Sequence, residues 1–498
     1  MNVSEVHSEK CARLQKFIPK NVLDFKSSFR KMLTCHICGD KIQGSKVYVN
    51  ILYYLYLFIK VGDYMEREIY DKLLKWKKSK YRKPLIVYGA RQVGKTFILT
   101  EFGKNEYDNL IILNCDKDER IKEMFDHGFR MERIISDIEI ISGQKVEPKK
   151  TLIFIDEIQE VPKAISSLKY FREDASEYHV VVAGSLLGLA IHEGVSFPVG
   201  KVDELTLYPL SFAEFVLAKQ GKSAYEKLKN DTVESLDSLS SVYKDLLREY
   251  YFTGGMPEVV VEYVEGRTPE ELRDVQKKIL ANYFLDISKH AKSDILGRIH
   301  QVWNSIPQQL AKSNKKFVYG DIQKGARAKD FELAIEWLLD AGIIYKISRV
   351  RKAGVPLKFY EDFSGFKLFL LDHGLMGAMV DAPISEILLS DNVFEEYKGT
   401  FTEQYVLEQL MCYCSTGIFY YDDETTKLEL DFLIQNEKNI VPIEVKAEEN
   451  LRAKSLKQFY TKNPDSKPIR ISMSRYRKED WLTNIPLYAA CRILDCSK

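Results

Sequence analysis

Residues 85–96 read LIVYGARQVGKT, a short apolar run that breaks into Gly89-Ala90-Arg91-Gln92-Val93-Gly94-Lys95-Thr96. These eight residues have the G-x-x-x-x-G-K-[ST] form of a phosphate-binding loop, the Walker A motif. Gly89 and Gly94 permit backbone conformations closed to residues with a Cβ, so successive amides can turn toward phosphate oxygens. A helix opening at the end of the loop adds its N-terminal amides and dipole. In such a loop Lys95 reaches the β- and γ-phosphates and the Thr96 hydroxyl binds Mg²⁺. The context agrees, since a strand-like run precedes the loop and Phe97-Ile98-Leu99 continue as a helix.

The complementary stretch is TLIFIDE, residues 151–157. Four apolar residues, 152–155, make a buried parallel strand, and Asp156 and Glu157 stand at its C-terminal end, where ligands bind in open α/β sheets. Asp156 is expected to hold Mg²⁺ through its water shell. Glu157 is expected to polarise an attacking water, which separates hydrolysis from mere binding. Alone, a strand ending in Asp-Glu often marks only a helix cap; beside a Walker A loop it reads as catalytic.

The chain has 498 residues, 45% hydrophobic and 29% charged. That is the balance of a soluble globular protein of about two to four domains. Lys+Arg at 73 against Asp+Glu at 72 leaves a net charge of +1. No global field draws the protein to nucleic acid or membrane, so binding to either must rest on a local patch. Eight scattered cysteines beside a nucleotide site read as free thiols. Neither a signal peptide nor an apolar stretch long enough to span a bilayer is present, and a cytoplasmic location is expected.

Residues 1–64 differ in character from the rest. They hold an isolated C-H-x-C at Cys35 to Cys38, without a second pair at zinc-site spacing, and an aromatic-rich run at 47–59. Met65 begins MEREIYDKLLKWKKSK, an amphipathic helix leading into the nucleotide-binding sheet, so Met65 is a candidate natural start and residues 1–64 an appendage. From residue 85 onward, strands and helices alternate, which means a parallel sheet wrapped by helices. The strand at 179–183 ends in Gly184-Ser185. Ser185 reads either as a sensor of the γ-phosphate and water or as a plain turn serine. In residues 197–215, Ser211 and Glu214 fit a capping box. Lys201 is either a cation facing the phosphates of its own or a neighbouring subunit, or a solvated strand residue.

Apolar positions 295, 299, 302, 306 and 310, a short helix at 319–324, and a third helix through 331–339 are followed by expected wing strands at 343–347 and 358–360. This order suggests a winged helix. Arg327, Lys329, Arg349, Arg351 and Lys352 read either as a DNA-facing surface, diluted by Asp330, Glu332 and Glu336, or as the outside of a structural lid on the ATPase. Near the C-terminus, Glu403 lies on a helix, Asp431 on a strand, and Glu444 and Lys446 on one face of the next strand. Such a D…E-x-K set either assembles a Mg²⁺ site with a lysine over the phosphate or is a half-buried strand with exposed Glu and Lys.

Taken together, the chain from Met65 on resembles a large prokaryotic family of AAA-type ATPases carrying a C-terminal domain of unknown function with a restriction-endonuclease-like fold. The resemblance rests on the stretch at 85–96, LIFIDEIQEVP (152–162), VVAGSLLG (181–188) and LYPLSFAEF (207–215). It continues through GGMPEVV (254–260), ILANYFLDISKH (279–290), KLFLLDHGL (367–375), LELDFLI (428–434) and VPIEVKA (441–447). It implies that residues 89–96 bind ATP and that Asp156 and Glu157 serve Mg²⁺ and water. Many relatives have Arg where this chain has Lys201. The expected fold is α/β: an ATPase domain at 65–220, a helical lid and winged-helix module at 221–380, and a restriction-endonuclease-like domain at 381–498. The expected function is Mg²⁺-dependent ATP hydrolysis. The alternatives are an ATP-gated DNA endonuclease, or a regulatory switch that binds a protein partner, and oligomerisation is compatible with all three.

Overall fold

The computed structural model describes residues 66–192, 196–312, 315–384, 398–423, 425–447 and 453–497. The expectations for residues 1–64, for Cys35 and Cys38, for the run at 47–59 and for Met65 as a start lie outside these residues. Among the described residues, no helix is long and apolar enough to cross a membrane.

Five strands, β1 (Leu85–Tyr88), β2 (Asn109–Asn114), β3 (Thr151–Asp156), β4 (His179–Ala183) and β5 (Asp203–Thr206), form a wholly parallel sheet in the order β2-β3-β4-β1-β5. The central strands are apolar runs because both of their faces are covered: every residue of β3 and β4 is buried. On one side, Ile153, Ile155, Val180 and Val182 pack with Ile134 and Ile138 of the helix Met131–Ser142 and with Ile165 and Leu168 of the helix Pro162–Glu173. The helix Phe212–Gln220 opens with the expected capping box, Glu214 N donating to Ser211 Oγ (3.2 Å) and Ser211 N to Glu214 Oε2 (2.9 Å).

A run of helices follows, from Ser240–Thr253 to Ala328–Asp340. The remaining strands form one eight-stranded sheet. They are β6 (Ile344–Val350), β7 (Glu361–Leu370), β8 (Ile418–Asp423), β9 (Leu428–Asn436), β10 (Asn439–Val445), β11 (Ile469–Ser472), β12 (Arg477–Lys478) and β13 (Thr483–Pro486), in the order β12-β13-β11-β10-β9-β8-β6-β7.

The expected wing takes a different form. The three helices Ser293–Leu310, Tyr319–Ile322 and Ala328–Asp340 precede a β-hairpin, but its strands are 344–350 and 361–370, and Leu357–Tyr360 is a 3-10 turn. The hairpin is also no free wing, because β6 pairs in parallel with β8, Ser348 opposite Phe419 and Val350 opposite Tyr421. The reason is burial: Val350 and Leu357 belong to the same apolar cluster as Phe419, Tyr421, Leu430 and Phe459. The sheet therefore runs across the expected boundary at 380/381.

Candidate functional site

The loop at 89–94 has the backbone its glycines predict. Gly89 takes φ +146°, and a Cβ there would lie 2.4 Å from the Leu207 carbonyl oxygen. Gly94, at φ +94°, turns directly into the helix Lys95–Glu106. Lys95 is buried, and its Nζ donates to the carbonyls of Gly89 (2.7 Å) and Ala90 (2.8 Å). Burial lowers its pKa to about 8 against the pull of Glu157 and Asp156. Thr96 Oγ1 donates to Asp156 Oδ2 at 3.1 Å, so the hydroxyl and carboxylate expected at a cation stand side by side. Burial, and then the charge of Glu157, raises the Asp156 pKa.

Glu157 sits in the left-handed region at φ +51°, an uncommon conformation for a residue with a Cβ. Its carboxylate accepts from Ser185 Oγ (3.1 and 3.2 Å) and from Gln159 Nε2 (2.7 Å). Thus β1, β3 and β4 bring Lys95, Thr96, Asp156, Glu157 and Ser185 together at the C-terminal ends of the strands.

Three contacts at the loop were not legible in the sequence. Arg67 is buried and donates to Val93 O (3.1 Å), Tyr208 O (2.6 Å) and Glu214 Oε1 (3.0 Å), tying the loop to the capping box. Tyr283 of the helix Pro269–His290 donates its hydroxyl to Arg91 O at 2.8 Å, and Asp286 of the same helix pairs with the Arg91 guanidinium. Gly342, just past the helix Ala328–Asp340, comes so close that a Cβ on it would lie 3.4 Å from the Ala90 amide. All three are long-range contacts; in sequence Arg67 reads as a solvated helix residue.

Lys201 does not face the phosphate loop of its own chain. Asp203 pairs with Leu85 and Thr206 with Tyr88, so the loop lies at the far end of the strand from Lys201. The four residues of β5 lie between it and the loop, roughly 10 Å of strand at ~3.3 Å per residue. There it pairs with Glu173 at 2.8 Å. The reading of Lys201 as a cation at its own subunit's phosphates is thereby corrected.

The C-terminal set converges, with additions. Glu403, on the helix Lys398–Tyr413, is 1% exposed and pairs with Lys315 and with Lys367 (3.2 Å), which is itself fully buried on β7. Lys315 lies 3.9 Å from Asp431 Oδ1, Lys367 lies 3.2 Å from Glu429, and the Val445 amide donates to Asp431 Oδ2 at 2.8 Å. Lys446 pairs with Glu444 Oε1 at 2.8 Å, while Glu444 Oε2 is buried without a hydrogen-bond partner. Burial works against the charge of Glu403, but Lys315 and Lys367 overcome it and hold its pKa down. For Asp431 and Glu444 burial prevails and the pKa rises. Lys315, Lys367 and Glu429 were not among the residues expected here; Lys367 precedes an apolar run and reads as an exposed strand end.

Asp372, His373 and Glu408 also bring potential ligand atoms within 4.8 Å of one another. Those atoms are already engaged. Asp372 accepts from the amides of Gly255 (2.6 Å) and Leu375 (2.9 Å), and Glu408 Oε1 accepts from Gln404 Nε2 (2.8 Å). His373 Nδ1 lies 2.6 Å from Glu408 Oε2, and Nε2 lies 2.8 Å from Tyr250 O. This is a polar weld between the Gly254-Gly255 turn and the helix Lys398–Tyr413.

Residues 81–216 match the model of an AAA domain. Residues 244–386 match a domain of unknown function (DUF8612), and residues 398–489 match another (DUF4143). An uncharacterized protein of Haemophilus influenzae is 26% identical over 212 residues, covering 40% of this chain and 45% of that protein. One of Methanocaldococcus jannaschii is 25% identical over 190 residues, covering 38% and 39%. The chain thus spans less than half the length of these relatives. Among solved structures, the Walker-type ATPase of Pyrococcus abyssi aligns at TM-score 0.42 and 15% identity, over 64% of this chain and 96% of that one. The Aeropyrum pernix ORC1 protein in complex with DNA aligns at TM-score 0.26 and 15% identity, over 66% and 94%. With its loop, its strand order and the match over 81–216, the first sheet is an AAA-type P-loop ATPase domain.

Proposed function

We propose that this chain is a Mg²⁺-dependent ATPase whose nucleotide state is transmitted to its C-terminal sheet. The observation that carries the reading is the Glu157 carboxylate, fixed by Ser185 and Gln159 one residue beyond the Thr96–Asp156 contact. A hydroxyl and a carboxylate 3.1 Å apart are oxygen donors that suit a hard divalent ion sharing its shell with water and phosphate. Bound there, Mg²⁺ would neutralise charge on the β- and γ-phosphates.

The remaining chemistry belongs to the chain. The amides of residues 89–96 wrap the phosphates, and Lys95 exchanges the Gly89 and Ala90 carbonyls for phosphate oxygens. Glu157 orients the attacking water and draws on its proton, and Ser185 keeps that carboxylate in position. The nucleoside half extends past Thr96 into a cavity of about 500 Å³ lined by Tyr70, Phe97, Glu101, Asn105 and Tyr225. Tyr283, Asp286 and Gly342 carry changes at the loop toward the C-terminal sheet, because each touches the loop and belongs to the segment after residue 220. Any part Lys201 plays at phosphates is at those of a neighbouring subunit. Lys95→Ala should abolish binding of a fluorescent ATP analogue; retained affinity would sink the reading.

A second reading, an ATP-gated DNA endonuclease with a restriction-endonuclease-like C-terminal domain, is favoured by one observation. Glu444 Oε2, buried and unpartnered beside Asp431, is a carboxylate oxygen suited to a divalent cation. Against it, Lys315 and Lys367 already neutralise much of the cluster. If the reading holds, Glu444→Ala abolishes ATP-dependent cleavage of duplex DNA. Where wild-type protein cleaves nothing, the C-terminal sheet is a scaffold for a protein partner.

A further inference from the structure

Two bare aromatic rings lie close together in sequence at the β6–β7 hairpin: Phe359 in the 3-10 turn Leu357–Tyr360, and Phe363 in the irregular start of β7, just past the Arg349–Asp362 pair. Phe359 is 83% exposed and Phe363 73%. The turn is anchored: Leu357 is 1% exposed within the C-terminal apolar cluster, and its amide donates to Gln435 Oε1 at 3.1 Å. The Arg351 amide donates to Tyr360 O at 3.2 Å, and Gly354 lies so close to the Tyr360 ring that a Cβ would come within 2.4 Å of it. A single exposed ring is ordinary. Two rings four residues apart, one on the anchored turn and one at the start of β7, both forgo the burial that apolar surface favours.

Charge identifies what covers them. Arg351, Lys352 and Lys358 are exposed on the same segment. The acidic residues between 351 and 363 are Glu361 and Asp362, and Asp362 is drawn to Arg349 and Arg351, the latter pair at 2.8 Å. Lysine, unlike arginine and phenylalanine, is depleted from the centres of protein interfaces, so Lys352 and Lys358 on this segment weigh against a protein partner. Flat apolar rings among cations match a polyanion with exposed π-faces, as an unpaired nucleic-acid strand is: bases stack on the rings and phosphates meet the cations. In a duplex the base faces are already stacked on one another.

We propose that this segment binds single-stranded nucleic acid, with Phe359 and Phe363 as stacking platforms and Lys352 and Lys358 on the backbone phosphates. The proposal goes beyond ATP hydrolysis and beyond cleavage, and depends on neither. A stacked base is worth about 1–3 kcal/mol by alanine substitution, or roughly 5- to 150-fold in affinity.

The test uses the full-length protein and fluorescence anisotropy of labelled oligothymidine, with a blunt duplex of equal length as the competitor. Wild-type protein should prefer the single strand. Phe359→Ala and Phe363→Ala should each weaken binding about 5- to 150-fold, Phe359→Trp should keep it, and a Lys352→Gln/Lys358→Gln variant should flatten its salt dependence. Unchanged far-ultraviolet circular dichroism and thermal midpoint in every variant show that the fold is intact. Failure of wild-type protein to bind oligothymidine, or equal binding by the Phe359→Ala/Phe363→Ala double variant, overturns the proposal and leaves the rings to a protein partner.

Discussion

His373 offers a pH-dependent test of how the two sheets are joined. It is fully buried, with Glu408 Oε2 2.6 Å from Nδ1 and Tyr250 O 2.8 Å from Nε2. The rings of Tyr250, Tyr251 and Tyr405 enclose it. While the Glu408 carboxylate is ionised, two acceptors demand two donors and the ring is an imidazolium; burial raises the Glu408 pKa to about 7, so the ion pair stands above that pH. Burial opposes that charge, but Glu408, Asp372 and the Tyr250 carbonyl overcome it and lift the pKa from 6.5 to about 9. A raised pKa means stability that is fully present below 6.5 and fades as pH climbs through 9. The shift corresponds to about 3 kcal/mol. Glu408→Gln removes the carboxylate that holds this proton, so the gap to wild type should narrow by about 1 kcal/mol between pH 8 and pH 10, as His373 in wild type gives up its proton. Urea unfolding of both proteins, followed by tryptophan fluorescence, reads this directly. A gap of the same size at both pH values, or none at either, would refute the imidazolium.

Other expectations follow from the same contacts. Ser185→Ala removes the hydroxyl that holds Glu157 and should lower ATP turnover by roughly tenfold or more at unchanged ATP affinity, since a hydrogen bond to a charge is worth about 1.5–3 kcal/mol; equal turnover would make Ser185 a turn residue. Lys201→Ala should leave turnover by dilute protein unchanged, and a large loss there would contradict its placement beside Glu173. Lys367→Met strands the buried Glu403 against Lys315 alone and should destabilise the fold by about 3–5 kcal/mol in denaturant titration, with Lys367→Met/Glu403→Leu recovering much of it. Gly374→Ala forces a Cβ to 2.6 Å from the Thr253 carbonyl oxygen, and the resulting shift should lower thermal stability by about 1–3 kcal/mol.

The nucleotide site was legible because its signals are local. Glycines at 89 and 94, an apolar run before them and a second run ending in Asp156-Glu157 fix strand, loop and helix within a few residues, and parallel pairing brings them to one edge. Lys201 misled because its position depends on the register of β5 against β1, which no nearby residue announces. The hairpin after residue 343 was recognisable, but its parallel partner β8 lies about seventy residues on, so its union with the C-terminal sheet was not. The ion pairs missed in sequence join residues 36, 88 and 147 positions apart: Lys367 with Glu403, Lys315 with Glu403, and Arg67 with Glu214. A lysine bound for a buried carboxylate looks, in sequence, like any solvated lysine.

Glu157, held by Ser185 beside the Thr96–Asp156 pair, is the residue proposed to make this chain an ATP hydrolase. Steady-state phosphate release from ATP and Mg²⁺ by wild-type and Glu157→Gln protein, with ATP binding measured in parallel, tests that role most directly. Wild type should turn over ATP, and Glu157→Gln should keep ATP binding with turnover reduced at least about a hundredfold, the size expected for loss of a general base. Equal turnover by the two proteins would contradict that role.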